Sequence, residues 1–395
     1  MSPFPGRSVS YLPGHTLCRA QDEVAYVASR AGTDTDGLVV AVLRTLFDAA
    51  EAAFVASRLS TLGTAGQVAV LARAGQQEVG PLVARRMMAM PGLAPETLGA
   101  ARGIYVENLA RNLYLRSETE RWVACFAGAG IPCRPLKGVG VSLLLYDDVG
   151  ARRCDDIDLL VRVEDRGRAQ ALAVARGFGP ILPAEDRTDP DGKAVHLLPR
   201  RSAASYTLDL HWRIELPRIV PLDHADFWRD HENGSTPPLD LVGTVLCLHL
   251  WRHAVTLKTL TDVAAFALRY ENQLPPVRAR LAQVGAGDGV DLALALVERV
   301  FGVRSRFPRG RSVKQALLPV LARVALRPFS ERGPYFGWLV FPLQCKGLLR
   351  PLGRAVGYWI RPGVRHGRLG SGSRFLRFLR VLGTSPFRRA AGRLQ

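Results

Sequence analysis

Residues 155–161 read Asp-Asp-Ile-Asp-Leu-Leu-Val, and this stretch decides the fold. A short apolar run that follows acids is typical of a buried β-strand, in which alternate side chains share a face. Asp156 and Asp158 would then project together, about 7 Å apart along the strand, while Ile157 and Leu159 enter the core. The alternative for an isolated Asp-x-Asp motif is two solvated acids at the edge of a loop.

Two carboxylates on one strand face repel each other when both are ionised, so the pair favours a cation between them. The hard oxygen ligands suit Mg²⁺ or Mn²⁺. The same repulsion predicts that Asp158→Asn leaves the thermal stability unchanged or slightly higher.

A second strand-like run, Leu208-Asp209-Leu210-His211-Trp212, carries a third acid. In a strand the two leucines face the core, and Asp209 and His211 share the opposite, polar face. If this strand neighbours the first one, Asp209 completes a cluster of three carboxylates; otherwise the face is an ordinary solvated one. For His211 we expect a hydrogen-bonding role rather than that of a catalytic base.

The tripeptide Leu136-Lys137-Gly138 lies between a strand-like and a helix-like segment. A glycine at such a junction allows backbone N–H groups to approach a phosphate at the N-terminus of the helix. Lys137 adds a positive charge there. The alternative is an ordinary turn before a helix.

The chain divides by pattern into five segments. We expect an irregular lead-in (1–35), a helical segment (36–130), a core of short strands and helices (131–235), a second helical segment (236–330) and a basic tail rich in arginine and aromatic residues (331–395). Within the core, four runs predict strands and two predict helices: Ile131–Leu136, Ile157–Val163, Ala194–Leu198 and Tyr206–Trp212, then Val139–Tyr146 and Glu164–Arg176. This mixture predicts an α+β fold.

The net charge of +18 belongs to the C-terminal part of the chain. From Val303 onward there are 20 basic residues and one acid, Glu331, whereas the first 302 residues hold 33 basic and 34 acidic residues. The tail therefore predicts a contact with an anionic partner, such as nucleic acid, a membrane surface or an acidic protein, unless it is a solvated extension. Only five of the 53 basic residues are lysines, a bias that weakens any interpretation of a single arginine as a phosphate ligand.

Several other features limit the protein class. The six cysteines match neither a zinc site nor a disulfide framework, so free thiols are expected. No run of about 18 apolar residues and no secretory signal is found, which predicts a cytoplasmic protein without a transmembrane segment. His249 and His253 share a helix face, but no third ligand accompanies them, so a polar groove or core contact is favoured over zinc.

The order of these motifs resembles the polymerase-β-like nucleotidyltransferase superfamily, and within it a bacterial branch of uncharacterised nucleotidyltransferases. The resemblance covers about residues 36–270. It rests on L-K-G, then R-x-x-x-D-I-D-L-L-V, then L-D-L-H-W, in which the matching residues are Lys137, Gly138, Arg152, Asp156, Asp158, Asp209 and His211. It implies an α+β nucleotidyltransferase core, a small mixed sheet with helices, flanked by helical segments on both sides.

The resemblance also implies an activity and residue roles. Asp156, Asp158 and Asp209 would be the catalytic and metal-binding acids, with Mg²⁺ or Mn²⁺ as cofactor. Lys137, Gly138 and Arg152 would bind the nucleotide. The reaction would transfer a nucleoside monophosphate from a nucleoside triphosphate such as ATP to an acceptor, which is a small molecule, a peptide or a protein.

Two other functions fit parts of the sequence. A sugar-nucleotide glycosyltransferase also uses Asp-x-Asp to hold Mn²⁺ against a diphosphate, but it offers no role for Asp209 or for the Leu-Lys-Gly motif. A non-catalytic adaptor would instead bind RNA or a membrane through the basic tail.

Overall fold

The computed structural model describes residues 35–180, 193–200, 204–215, 220–222, 225–228, 238–252, 255–307, 313–327, 343 and 345. Within these residues the chain forms a five-stranded mixed sheet and twelve α-helices, which confirms the α+β prediction. The basic tail and the loop 183–192 fall almost wholly outside the described residues, so the prediction for the tail stays a prediction.

The helices precede, interrupt and follow the sheet. Five lie before the first strand: α1 Thr35–Arg44, α2 Ala52–Ser60, α3 Gly63–Gln76, α4 Gly80–Met88 and α5 Pro95–Gly128. Two lie between strands: α6 Val139–Tyr146 and α7 Arg166–Ala175. Five follow the last strand: α8 Leu239–Arg252, α9 Leu257–Arg269, α10 Leu274–Gln283, α11 Asp288–Phe301 and α12 Leu318–Ala325.

The sheet contains β1 Cys133–Pro135, β2 Asp156–Val161, β3 Phe178–Pro180, β4 Ala194–Pro199 and β5 Thr207–His211, in the spatial order β1-β2-β5-β4-β3. Only the central pair, β2 and β5, is parallel; the other three pairs are antiparallel. A parallel pair needs a long crossover connection. Here α7, β3 and β4 lie between the two central strands in the chain.

Two apolar cores hold the molecule together. One side of the sheet, with Leu159, Leu208 and Leu210 fully buried, packs with Trp122 and Phe126 of α5. A larger core joins the N-terminal helices α1–α4 to the C-terminal helices α8–α12, for example where Phe47 meets Phe301 at a ring-centroid distance of 5.4 Å. The two helical segments, which are distant in sequence, therefore share one core.

The element predictions for the core segment are confirmed in type, with ends that differ by up to two residues. Two elements have no sequence signal strong enough to predict them. The strand β3 is three residues long, and α10 begins with two consecutive prolines, which are tolerated only in the first turn of a helix.

The helical run predicted over Leu239–Tyr270 is divided into α8 and α9. The break contains Val255, whose φ is +58°, and Thr256, which caps α9 by accepting a hydrogen bond from the backbone N–H of Thr259. None of the described helices is both long and apolar enough to span a bilayer.

Candidate active site

A cleft of about 390 Å³ lies where the sheet meets α8 and α9. This volume is within the range of small-molecule sites. The cleft is lined by the ends of β2 and β5, by the turn before α6, by the residues that begin β4 and by the facing ends of α8 and α9. All the site residues predicted from the sequence line this cleft. They are the charged Asp156, Asp158, Asp209, Lys137 and Arg152, and the glycine Gly138.

The acids are positioned by the parallel pairing of β2 with β5. In this register Asp158 is directly opposite Asp209, and Asp156 is opposite Thr207. Directly paired residues of neighbouring strands point to the same face of the sheet, and residues two apart on one strand do as well. Asp156, Asp158 and Asp209, which we call the acid cluster, therefore share one face. Ile157, Leu208 and Leu210 are buried on the other.

The turn at Lys137-Gly138 is held against the acid cluster by the backbone. The N–H of Leu136 donates to the carbonyl of Asp158, at 3.0 Å. Gly138 follows with φ +81° and ψ −141°, a conformation that is strained for any residue with a side chain. A Cβ atom on Gly138 would meet no atom within 4 Å, so the space beside it is open to a ligand.

Asp158 is an ionised, fully engaged carboxylate. Its Oδ1 lies 2.9 Å from Nζ of Lys137 and 2.9 Å from Nε2 of His211. Burial opposes ionisation, since the side chain is only 2% exposed, but the charge of Lys137 and the hydrogen bond to His211 outweigh it and lower the pKa of Asp158. Lys137 thus already neutralises one member of the cluster.

Asp156 has the opposite environment. Its side chain makes no hydrogen bond or ion pair with the part of the chain that the structure describes. Burial and the charge of Asp158 raise the pKa of Asp156 to about 6, against the weaker opposing effect of Lys137. The cluster therefore carries one negative charge that the protein leaves without a partner.

Asp209 forms a pair across the next strand. In the antiparallel register of β4 and β5 it is opposite His196, whose Nδ1 lies 2.7 Å from Oδ1 of Asp209. The hydrogen bond to Asp209 raises the pKa of His196, although burial acts against it. His196 also lines the cleft, and its side chain is 54% exposed.

His211 is a hydrogen-bonding partner of the acid cluster, as expected. Burial lowers its pKa despite the nearby charge of Asp158, which favours the neutral ring. With Nε2–H donating to Asp158, the lone pair is on Nδ1, which is buried and has no hydrogen-bond partner among the described residues. A ring held in this way orients the carboxylate beside it.

Arg152, which the resemblance assigns to nucleotide binding, is held in a buried ion pair. Its Nε lies 2.8 Å from Oδ2 of Asp262 on α9, and Tyr146 donates a hydrogen bond of 2.8 Å to Oδ1 of the same carboxylate. The Arg152 side chain is 6% exposed and that of Asp262 is 1% exposed. This pair ties α9 to the core, and the guanidinium contributes only to the edge of the cleft.

Three residues of the long helix α5, which the sequence does not single out, hold the loop that leads into β2. Asn108 and Asn112, both buried, donate to the carbonyl of Arg152 at 3.1 and 2.7 Å, and Arg111 donates to the carbonyl of Cys154 at 3.0 Å. The available signal is their spacing, since residues at 108, 111 and 112 lie on one face of a helix.

A group of basic residues in the cleft is likewise not predicted from the sequence. Lys193 lies just before β4, Arg252 ends α8 and Lys258 is in the first turn of α9. Arg252 pairs with Glu215 at 2.5 Å, and Nζ of Lys193 lies 3.8 Å from the same carboxylate and donates to the carbonyl of Ile214 at 3.2 Å. We call Lys193, Arg252 and Lys258 the basic cluster.

The donor set fits a divalent cation. The ligand atoms of Asp158, Asp209 and His211 all lie within 4.8 Å of one another, and Asp156 is two residues from Asp158 on the same face. Carboxylate oxygens suit Mg²⁺ or Mn²⁺, and the Asp156 carboxylate is left without a direct side-chain partner among the described residues, so it is available to such a cation. His249 lines the cleft too, but His253 lies outside the described residues.

The comparison with known proteins agrees with this architecture. The family model described as "uncharacterised nucleotidyltransferase" matches residues 64–302, and the resemblance drawn from the motifs is thereby confirmed. No curated protein and no solved structure matches the chain at a significant level. Because the matched region is more than half of the chain and contains the sheet, the whole acid cluster and the cleft, the chain belongs to the family of uncharacterised nucleotidyltransferases.

Proposed function

We propose that the protein transfers a nucleoside monophosphate from a nucleoside triphosphate to a hydroxyl group of an acceptor, and that Asp156, Asp158 and Asp209 hold the required divalent cations. The observation that carries the proposal is the register of β2 and β5, in which Asp158 faces Asp209 directly and Asp156 shares their face. Three carboxylates that lie together can hold divalent cations, and an open glycine turn beside them can contact phosphate. Phosphoryl transfer uses both.

A bound divalent cation would supply charge neutralisation for the phosphates and a lowered pKa for the acceptor hydroxyl. The protein itself mainly positions groups. His211 orients the carboxylate of Asp158 through Nε2–H, and the backbone bond from Leu136 to Asp158 keeps the Lys137-Gly138 turn in register with the acids. Asn108 and Asn112 hold the loop that precedes β2.

For the nucleotide, we propose that the turn at Lys137 and Gly138 contacts phosphate. The positive φ of Gly138 and the open space beside it support this role. Lys137 forms an ion pair with Asp158. From this position its ammonium group can pair with an incoming phosphate instead. For Arg152 the proposal is weaker, because its guanidinium already serves Asp262.

The glycosyltransferase alternative gains nothing from the geometry. It needs two acids, whereas the third acid, Asp209, is paired directly with Asp158 in the cleft. The adaptor alternative depends on the tail, which lies outside the described residues. We therefore keep UDP-sugars as competing ligands in the experiment rather than as evidence for a second function.

The experiment is metal-dependent binding and transfer with the full chain. Each of the four nucleoside triphosphates, labelled at the α-phosphate, is incubated with Mg²⁺ or Mn²⁺ and with fractionated small-molecule, peptide and protein acceptors. We expect binding that requires the metal, label transferred to one acceptor class, and loss of both with Asp209→Asn.

Asp155→Asn is the matched control. This substitution removes the same charge from the side of the cleft. There the Asp155 side chain is 43% exposed and pairs with Arg153, so transfer should be unchanged. Absence of any metal-dependent triphosphate binding to the intact protein would contradict the proposal, and preferential binding of UDP-sugars would favour the glycosyltransferase.

A further inference from the structure

Three of the chain's five lysines, Lys137, Lys193 and Lys258, line the cleft. Of the other two, Lys314 is buried elsewhere, against Asp288, and Lys346 lies outside the described residues. Lysines are 5 of the 53 basic residues of the chain, yet they are half of the six that line the cleft together with Arg152, Arg153 and Arg252. In so arginine-rich a protein, this concentration indicates a site that needs compact ammonium groups.

The cations of the cleft differ in how far they are already satisfied. Lys137 is paired with Asp158, Arg152 with Asp262, Arg153 with Asp155 and Arg252 with Glu215. Lys258 is the exception, because its side chain makes no hydrogen bond or ion pair with any residue that the structure describes. It nevertheless lines the same cleft as the acid cluster.

Lys193 is also incompletely satisfied. Burial and the charge of Arg252 lower the pKa of Lys193 to about 7, since the ion pair with Glu215 is long, at 3.8 Å, and is shared with Arg252. An added anion in the cleft would stabilise the charged form of this lysine.

The cleft therefore contains a carboxylate, Asp156, and an ammonium group, Lys258, whose side chains make no hydrogen bond or ion pair with the residues that the structure describes. A ligand that carries a dication and adjacent anionic oxygens satisfies both at once, whereas a simple anion or a simple cation satisfies only one. A chelate of a divalent metal with a polyphosphate has this charge pattern.

We propose that the basic cluster, Lys193, Arg252 and Lys258, is the polyphosphate subsite of the cleft, and that Lys258 binds the phosphates that depart as pyrophosphate. This inference rests on the proposed nucleotidyl transfer. It assigns polyphosphate as the ligand of the basic cluster. The three residues come from separate segments, and none of these segments carries a recognisable phosphate-binding motif in the sequence.

The test measures binding of inorganic tripolyphosphate to the full chain by calorimetry, with and without Mn²⁺, at raised salt so that binding by the basic tail is screened. For Lys258→Ala we expect tripolyphosphate binding that is about 10- to 100-fold weaker, because one charge-assisted hydrogen bond is lost. Lys258→Arg keeps the charge but replaces the compact ammonium group, so it should bind more tightly than Lys258→Ala and less tightly than the wild type. Arg121→Ala, which removes the same charge from a side chain that is 74% exposed, should bind as the wild type does.

Chemical acetylation of lysines gives a second readout that needs no variant. Mn²⁺ with tripolyphosphate should protect Lys258 from the reagent in the wild-type protein. Either unchanged tripolyphosphate binding by Lys258→Ala or an unprotected Lys258 would overturn the inference.

The outcomes also separate this inference from the proposed function. If Mn²⁺ and nucleoside triphosphates bind normally to Lys258→Ala, the subsite is wrong while the proposed function stands. If tripolyphosphate binding depends on Lys258 but not on Mn²⁺ or on Asp209, the subsite stands and the nucleotidyl transfer is contradicted. If the wild-type protein binds no polyphosphate, both are overturned.

Discussion

The acid cluster and the basic cluster line the same cleft, but they are built in different ways. The acids lie on two neighbouring strands, with Asp156 and Asp158 two residues apart on one strand and Asp209 opposite Asp158 on the other. The basic residues come from the start of β4, the end of α8 and the start of α9, and span residues 193 to 258. The acid cluster depends on the two-residue period of a strand and on strand pairing. The basic cluster depends on how the helices pack against the sheet.

The comparison teaches where each kind of charge can be recognised. A strand repeats every two residues, so two acids at this spacing announce a shared face. A cation on a helix end carries no such pattern, because its partner in the site is set by how the helices dock on the sheet.

The largest effect is expected from Asp158→Asn, which breaks the acid cluster at its centre. We expect transfer to fall by at least about 100-fold, since an electrostatic group aimed at the reacting phosphates is lost. Contrary to the expectation from simple repulsion, stability should also fall, by roughly 2 to 3 kcal/mol, because Lys137 loses its buried partner and His211 loses its acceptor. Enzyme assays and urea unfolding measure the two effects.

The control for this variant is again Asp155→Asn. Its ion pair with Arg153 is on the surface, so the free energy of unfolding should change by less than about 1 kcal/mol. If Asp158→Asn proved as stable as the wild type, the contacts of Asp158 with Lys137 and His211 would not describe the protein in solution.

Variants of Arg152 test whether this residue, at the edge of the cleft, binds ligand as the basic cluster does or stabilises the fold through Asp262. Either Arg152→Gln or Asp262→Asn leaves a buried charge without its partner, and each should lower the free energy of unfolding by roughly 3 kcal/mol. The double variant should recover part of that loss, because neither charge remains.

The matched pair is Arg269 with Asp147, which also joins α9 to the core but exposes 53% of the Asp147 side chain. Asp147→Asn should cost less than about 1 kcal/mol. An Arg152→Gln variant with normal stability and a raised KM for the triphosphate would move Arg152 from the framework to the nucleotide site.

The smallest effect concerns Asp156 and depends on pH. In the metal-free protein the pKa of Asp156 is raised to about 6 by burial and by Asp158, above the unfolded value near 3.9. Ionisation therefore destabilises the folded state as the pH rises through this window, and Asp156→Asn should be more stable than the wild type at pH 8 by on the order of 1 to 2 kcal/mol.

At pH 4 the wild-type carboxyl is mostly protonated in the folded state, so the two proteins should have nearly the same stability. Urea unfolding in the presence of a chelator at both pH values provides the measurement. A difference that is the same at pH 4 and pH 8 would show that the substitution acts through packing and not through charge.

Much of the core segment, residues 131–235, follows from its sequence. Four of the five strands and both core helices match their predicted runs, because hydrophobic residues alternate or recur at the spacing of each element. The three-residue β3 and the proline-initiated α10 do not, since short elements and prolines carry no such period.

The sequence-based prediction for the stability of Asp158→Asn stays untested, but its premise of simple repulsion omits the contacts of Asp158 with Lys137 and His211. That prediction treats Asp156 and Asp158 as equivalent, because their spacing in the sequence does not distinguish them. Asp158 receives both Lys137 and His211, whereas Asp156 receives neither, so their pKa values shift in opposite directions. The partners come from another strand and from the turn before α6, which the spacing of the acids does not reveal.

By itself, the order of residues determined that Asp156 and Asp158 share a strand face and that a glycine turn precedes a helix, because both depend on backbone geometry over a few residues. Tertiary structure decided which acid is neutralised, that Arg152 serves Asp262, and that Lys193 and Lys258 enter the cleft. Charges act through space over several ångströms, so their environment depends on which distant segments the fold brings together.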